Sequence, residues 1–282
     1  MKRPDDMTFL EHIEALRKHI IRAALAVLVF SLVAFIFKNI IFDDILFAPK
    51  TPQFFTNKWM CQLGETFEMK SLCINQRSFE IINIKMSGQF MTHVTISLIV
   101  GLIIAFPFIF NEFWKFLKPA LNKKEIKHSR GAVLAASFLF SSGALFGYFI
   151  IIPLTIEFFG GYNVSKDVVN QINLTSYIQT FSSVVLASGV VFELPVLIYF
   201  LSKIGLITPK FLKKYRKHSF VIILILAAVI TPPDIFSQIL VSLPLIALYE
   251  MGIGISRRIE KKRLKLITVQ ENVPTLNPDA HP

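Results

Sequence analysis

The apolar positions of this chain fall in long unbroken runs, not in the one-sided stripes of an amphipathic globular helix. Four runs are clear, at about Ile20–Phe37, Met86–Phe110, Gly131–Ile152 and Tyr177–Leu201. Each is close to the twenty or so residues that a helix needs to cross the roughly 30 Å hydrocarbon layer of a bilayer. Two further stretches, His218–Thr231 and Ile235–Tyr249, are separated only by Pro232-Pro233-Asp234. At 1.5 Å per residue they cover roughly 21–23 Å, so they predict a short pair that spans a thinned bilayer or turns back as a re-entrant hairpin. Either arrangement returns the chain to the side it left. Pro107, Pro195 and Pro244 each remove a backbone hydrogen bond inside a run and predict kinks. The expected fold is an all-α membrane protein of six transmembrane helices, kinked into a concave body, with short fifth and sixth helices.

Before the first run, Thr8-Phe9-Leu10-Glu11 has the spacing of a capping box, which predicts a helix starting at Thr8 and running through His12 and Glu14 into the first span. That run has no small-x-small cleavage site and reads as a retained span. No repeat of 20–50 residues is visible. Composition agrees with the membrane reading: 53% of the chain is apolar, 17% is charged, and Phe occurs 28 times.

The net charge of +11 would raise nucleic acid as a partner in a soluble protein. Its distribution speaks for topology instead. Residues 1–19 carry four Lys/Arg, while 111–130, 202–217 and 253–282 carry six each. The segment 153–176 carries one, and the long segment 38–85 offsets its six with five acids. Lys/Arg excess marks cytoplasmic loops. The N-terminal amphipathic tail (1–19), the loops 111–130 and 202–217, and the C-terminus are therefore expected inside, flanking a membrane domain over 20–252. The last segment, 253–282, is basic and then polar with prolines, and is expected to be disordered after Arg263.

Few residues carry chemistry. Cys61 and Cys73 both fall in the outward segment, where an even pair is compatible with a disulfide. Neither zinc spacing nor a phosphate loop nor a nucleophile elbow occurs, so no metal, cofactor or catalytic set is expected. Glu193 is the one carboxylate well inside a long apolar run. It is costly there unless it faces a partner or wet cavity, or bonds a carbonyl freed beside Pro195. Glu125 lies among the bases of 111–130, where a carboxylate either accepts a guanidinium bidentately or balances Lys124 and Lys127. Glu14 forms an i,i+4 pair with Lys18. His93 is a lone polar residue in the second run, suited to a helix–helix hydrogen bond.

In order, these pieces resemble the TatC family, the multispanning subunit of the twin-arginine protein translocase, from about Thr8 to Arg258. The resemblance is carried by Glu11-His12-Ile13-Glu14-Ala15-Leu16-Arg17, by Ala48-Pro49, and by Phe116-Leu117-Lys118-Pro119-Ala120-Leu121 followed by Glu125. Phe192-Glu193-Leu194-Pro195 and Thr231-Pro232-Pro233-Asp234, with Phe236-Ser237-Gln238, complete it. It implies a glove-shaped, six-span, non-enzymatic receptor in the bacterial inner membrane, with both termini cytoplasmic. It also implies that Glu14, Leu16, Arg17, Phe116, Pro119 and Glu125 bind the signal peptides of folded precursors, with Glu125 and Glu14 facing their paired arginines. Glu193 and Gln238 become intramembrane contacts for single-span TatA- and TatB-type partners in a hetero-oligomer of several copies, with the proton-motive force as energy source. Family members usually have Glu directly before Leu-Arg, where this chain has Ala15. Either Glu14 substitutes from a neighbouring angle, or Glu125 bears most of the arginine contact. The cysteine pair lies outside the family pattern. A secondary transporter using Glu193 would show paired halves with broken helices, and an intramembrane protease would need a second acid at matching depth; neither is seen.

Overall fold

The computed structural model describes residues 9–69, 72–76, 80–117, 129–165, 167–168, 170–231 and 235–271. Among the described residues, five helical segments are long and apolar enough to cross a membrane: Ile13–Ile36, Gly88–Phe116, Gly131–Gly161, Leu174–Lys203 and Ser237–Leu264. The first lies within α1 (Phe9–Ile36), a single helix in which tail and span are continuous. Thr8, the expected cap, lies outside the described residues. A π-helical turn (Ile40–Leu46), a 3-10 turn (Ala48–Lys50) and the short helix α2 (Phe55–Thr66) follow. The second span is α3 (Gly88–Leu117), which passes Pro107 without interruption.

The third span is longer than its apolar run. It begins as α4 (Ser129–Phe146), passes through a π-helical turn (Gly147–Ile151), and continues as α5 (Ile152–Gly161). Proline reads as a stop in a sequence, but Pro153 sits in the first turn of α5, where its missing N–H has no helical partner to lose. The fourth span is broken at Glu193 into α6 (Leu174–Phe192) and α7 (Leu194–Lys203), the expected effect of Pro195. A short helix, α8 (Pro209–Lys214), is capped by Thr208, whose Oγ accepts from the Phe211 N–H at 3.2 Å.

The fifth run forms α9 (Arg216–Ile230), only 15 residues long, as its hydropathy predicted. The sixth does not stay short. Helix α10 runs 37 residues, from Ile235 to Glu271, through Pro244 and far past Tyr249. The expected disorder after Arg263 is corrected as far as Glu271. The apolar run ends near Tyr249, but the following Lys, Arg, Glu and Leu are strong helix formers. The next proline in the sequence is Pro274, so nothing forces an earlier stop.

Packing relies on small residues, as expected where lipid removes the hydrophobic drive between helices. A Cβ at Gly143 of α4 would lie 2.6 Å from the Ser188 carbonyl of α6, and one at Gly189 would lie 2.8 Å from the Phe140 ring. The Phe106 and Phe140 rings stack at 3.6 Å between α3 and α4. Ser202 and Ser256 hydrogen-bond at 2.8 Å between α7 and α10. Departures from an all-helical fold are slight: β1 (Ile81–Ile82) pairs in parallel with β2 (Ile172–Asn173).

The segment between the first two spans is knotted by buried amides. Asn57, fully buried, donates to the carbonyls of Pro49 (3.0 Å) and Thr51 (2.7 Å). The Asn75 amide donates to the Asn57 side-chain oxygen (3.2 Å) and to the Pro153 carbonyl (3.0 Å). Cys61 and Cys73 are joined by a disulfide beside this knot. Tyr177 and Tyr148 donate to the carbonyls of Leu46 and Ile45, at 2.7 and 2.9 Å. These bonds fasten the π-helical turn onto the bundle.

Candidate functional site

The end of the body that carries the basic segments is built by the first turns of α1 and the last turn of α3. Helical spacing puts Ala15 and His19 on the face of α1 turned partly inward, while Ile13, Glu14, Leu16, Arg17 and Lys18 are exposed. Glu14 pairs with Lys18 at 3.0 Å, both side chains about two-thirds exposed. The inward face meets Glu112 of α3, which is 8% exposed. Its Oε2 accepts from His19 Nδ1 at 2.7 Å and lies 3.8 Å from Arg22 Nη1, and its Oε1 accepts from Lys115 Nζ. The His19 ring meets Phe116 edge-on, with centroids 6.3 Å apart. One carboxylate thus gathers basic side chains from two helices and ties the start of α1 to the end of α3.

Glu112 was not among the residues picked out by sequence. In the sequence it is one of two acids among the six bases of 111–130, and its partner His19 lies 93 positions away. A double-mutant cycle between His19→Asn and Glu112→Gln is expected to return a coupling of about 1 kcal/mol or more. Thermal unfolding of the purified protein checks this, and additive effects would show the pair to be incidental.

The remaining candidates divide. Glu125 and Pro119 lie outside the described residues, as do Pro232, Pro233 and Asp234. Glu193 stands at the break between α6 and α7, and its two carboxylate oxygens are buried without a hydrogen bond of good geometry among the described residues, the Phe140 backbone lying within electrostatic reach. The carbonyl that Pro195 leaves without its helical donor is that of Val191, and it accepts from the Glu193 N–H instead. A bond from the Glu193 side chain to a freed carbonyl is therefore not what occupies it. Gln238 donates to the Leu224 carbonyl at 3.3 Å and ties α10 to α9. Thr231 ends α9, its hydroxyl and N–H both directed at the Ala227 carbonyl. Pro49 and Pro195 are fully buried. His93 donates to the Phe35 carbonyl at 3.0 Å, a bond between α3 and α1. Glu250 pairs with Arg216 at 2.6 Å across α9 and α10.

Residues 11–244 match the family model described as Sec-independent protein translocase protein (TatC). The chain belongs to the TatC family. It is 45% identical over 261 residues to the Sec-independent protein translocase protein TatC of Blattabacterium sp. subsp. Periplaneta americana (strain BPLAN), covering 92% of this chain and 98% of that one. It is 31% identical to the TatC of Aquifex aeolicus (strain VF5), covering 92% and 99%. Two crystal structures of the twin arginine translocase receptor TatC share the fold. One has a TM-score of 0.62 at 31% identity, covering 89% of this chain and all of that one. The other, in DDM, has a TM-score of 0.66 at 32% identity, covering 87% and 99%. The chain is thus a multi-pass membrane member of the TatC family, and the Glu112 cluster joins two elements that the family motifs already mark, the α1 tail and the end of α3.

Proposed function

We propose that this chain is the signal-peptide receptor of a twin-arginine translocase in the bacterial inner membrane. Membership of the TatC family along most of the chain, with the ordered motifs around Glu14, Glu125, Glu193 and Gln238, carries the reading. Both termini and the basic loops face the cytoplasm, in keeping with the Lys/Arg excess of those segments. The chain then crosses six times. The short α9 supplies the fifth crossing, and the bent helices form a glove-shaped concave body. The paired arginines of a folded precursor's signal dock on Glu125 and the α1 tail, with Leu16, Arg17, Phe116 and Pro119 framing them. The Glu112 cluster holds that tail at its angle. The apolar part of the signal lies along the concave face near Glu193, whose unpartnered carboxylate also suits a polar contact from TatA- or TatB-type single-span subunits. Those subunits assemble the passage in a hetero-oligomer, driven by the proton-motive force. The role is binding and organisation, without catalysis or a cofactor.

Photo-crosslinking in membrane vesicles tests this, with a probe at position 125 and precursors carrying Arg-Arg or Lys-Lys in the signal. Adducts are expected with Arg-Arg and are expected to fade about tenfold with Lys-Lys, which lacks the planar bidentate fork. Equal adducts from both, or none from either, would remove Glu125 from the recognition site.

A further inference from the structure

A separate groove opens at the same basic end, between α4, α7 and α10. It has a volume of about 380 Å³ and an apolar lining that includes Ala135, Leu139, Pro195 and Val196. Small residues on α4 keep it open, and a Cβ added at Gly131 would meet nothing within 4 Å. Its rim carries Arg258 and Lys262, one turn apart on α10 and both exposed. Neither is held in an ion pair or hydrogen bond among the described residues. Lys203 adds a third cation close by, 5.5 Å above the ring of Tyr199, which also lines the groove.

The depth of these cations follows from the unexpected length of α10. Counted from Ile235 at 1.5 Å per residue, Arg258 and Lys262 lie about 35 and 40 Å along the helix. That is past a hydrocarbon core of roughly 30 Å and at the headgroup layer. Helical side chains lean toward the N-terminus, which brings both cations back over the groove mouth. A peptide helix is about 10 Å across. An acyl chain is narrower. Basic clefts between membrane helices on the cytoplasmic side are suited to anionic headgroups.

We propose that this groove binds an acidic phospholipid, its phosphate between Arg258 and Lys262 and an acyl chain along Ala135, Leu139, Pro195 and Val196. The proposal rests on the inward orientation of the basic segments and not on the receptor reading. The full-length protein in phosphatidylcholine nanodiscs, with a trace of photoactivatable phosphatidylglycerol, provides the test. Adducts are expected to map to α4 and α7 along the groove. Arg258→Ser with Lys262→Ser is expected to reduce labelling at least about tenfold, since both direct charge-assisted contacts to the bound phosphate are lost. Arg257→Ser with Lys261→Ser removes the same charge from α10 at positions that do not line the groove, and is expected to leave labelling within about twofold. Ala135→Phe keeps both cations, obstructs the apolar wall, and is expected to reduce labelling as well. Equal loss in the two double variants, unchanged labelling in the first, or equal labelling by photoactivatable phosphatidylcholine would each overturn the proposal. So would a photoprobe at position 135 that captures protein in place of lipid.

Discussion

Glu125→Gln is expected to weaken capture of a twin-arginine signal peptide about 10- to 100-fold, because hydrogen bonds to a charged acceptor are worth about 1.5–3 kcal/mol. Glu14→Gln is expected to cost roughly threefold at most, because exposed ion pairs contribute little. The ranking follows from what each carboxylate gains by meeting a guanidinium. Glu14 is about two-thirds exposed and already has Lys18 at 3.0 Å, so an incoming arginine replaces a cation that is present. It also projects away from the inward face on which Ala15 and His19 lie. Glu125 belongs to a segment with six bases and one other acid, Glu112, and Glu112 is committed to His19 and Lys115. On the receptor reading proposed above, Glu125 is the acid of that segment that receives an arginine. Titration of a labelled signal peptide into the full-length protein in nanodiscs, at two salt concentrations, separates the two contributions. A Glu14→Gln loss as large as that of Glu125→Gln would move the contact to the α1 tail and make Ala15 a tolerated shift of register.

The parts of this protein that were legible in its sequence are those governed by hydropathy. Five apolar runs correspond to helices crossing the body, and the shortness of α9 follows directly from residue count. Helix ends were less legible, because they depend on propensity and on the next breaker. Helix α10 continues through charged helix formers that a bilayer cannot hold but water can. The third span passes Pro153 because a π-helical turn before it absorbs the register. Tertiary pairings were the least legible. His19 with Glu112, and Asn75 with Asn57, join residues whose spacing carries no period. The isolation of Glu193 is the opposite case, since one acid in an apolar run announces itself.

Gly101→Leu is expected to detach α1 from α3 and cost at least 1–3 kcal/mol, the usual penalty of overpacking. A Cβ at position 101 would lie 2.6 Å from the backbone nitrogen of Ser31 and 2.7 Å from its Cα. A crowded side chain can rotate away, whereas a crowded backbone requires the helix itself to move, so even Gly101→Ala is expected to be destabilising. Helix α1 has little else to hold it. Its extended packing among the described residues is against α3, and Ile20, Leu25, Leu28 and Leu32 are all more than half exposed. In lipid, where apolar exposure carries no penalty, close approach along one seam supplies the attraction. Gly254→Leu serves as the control, because a Cβ there meets nothing within 4 Å. Thermal unfolding of the purified variants measures the cost, and the signal-peptide titration measures its consequence. Parting the seam at Gly101 swings His19 away from Glu112, so affinity is expected to fall together with stability. If stability falls while affinity holds, the α1 tail is placed by the signal peptide itself, and Glu112 does not preset its angle.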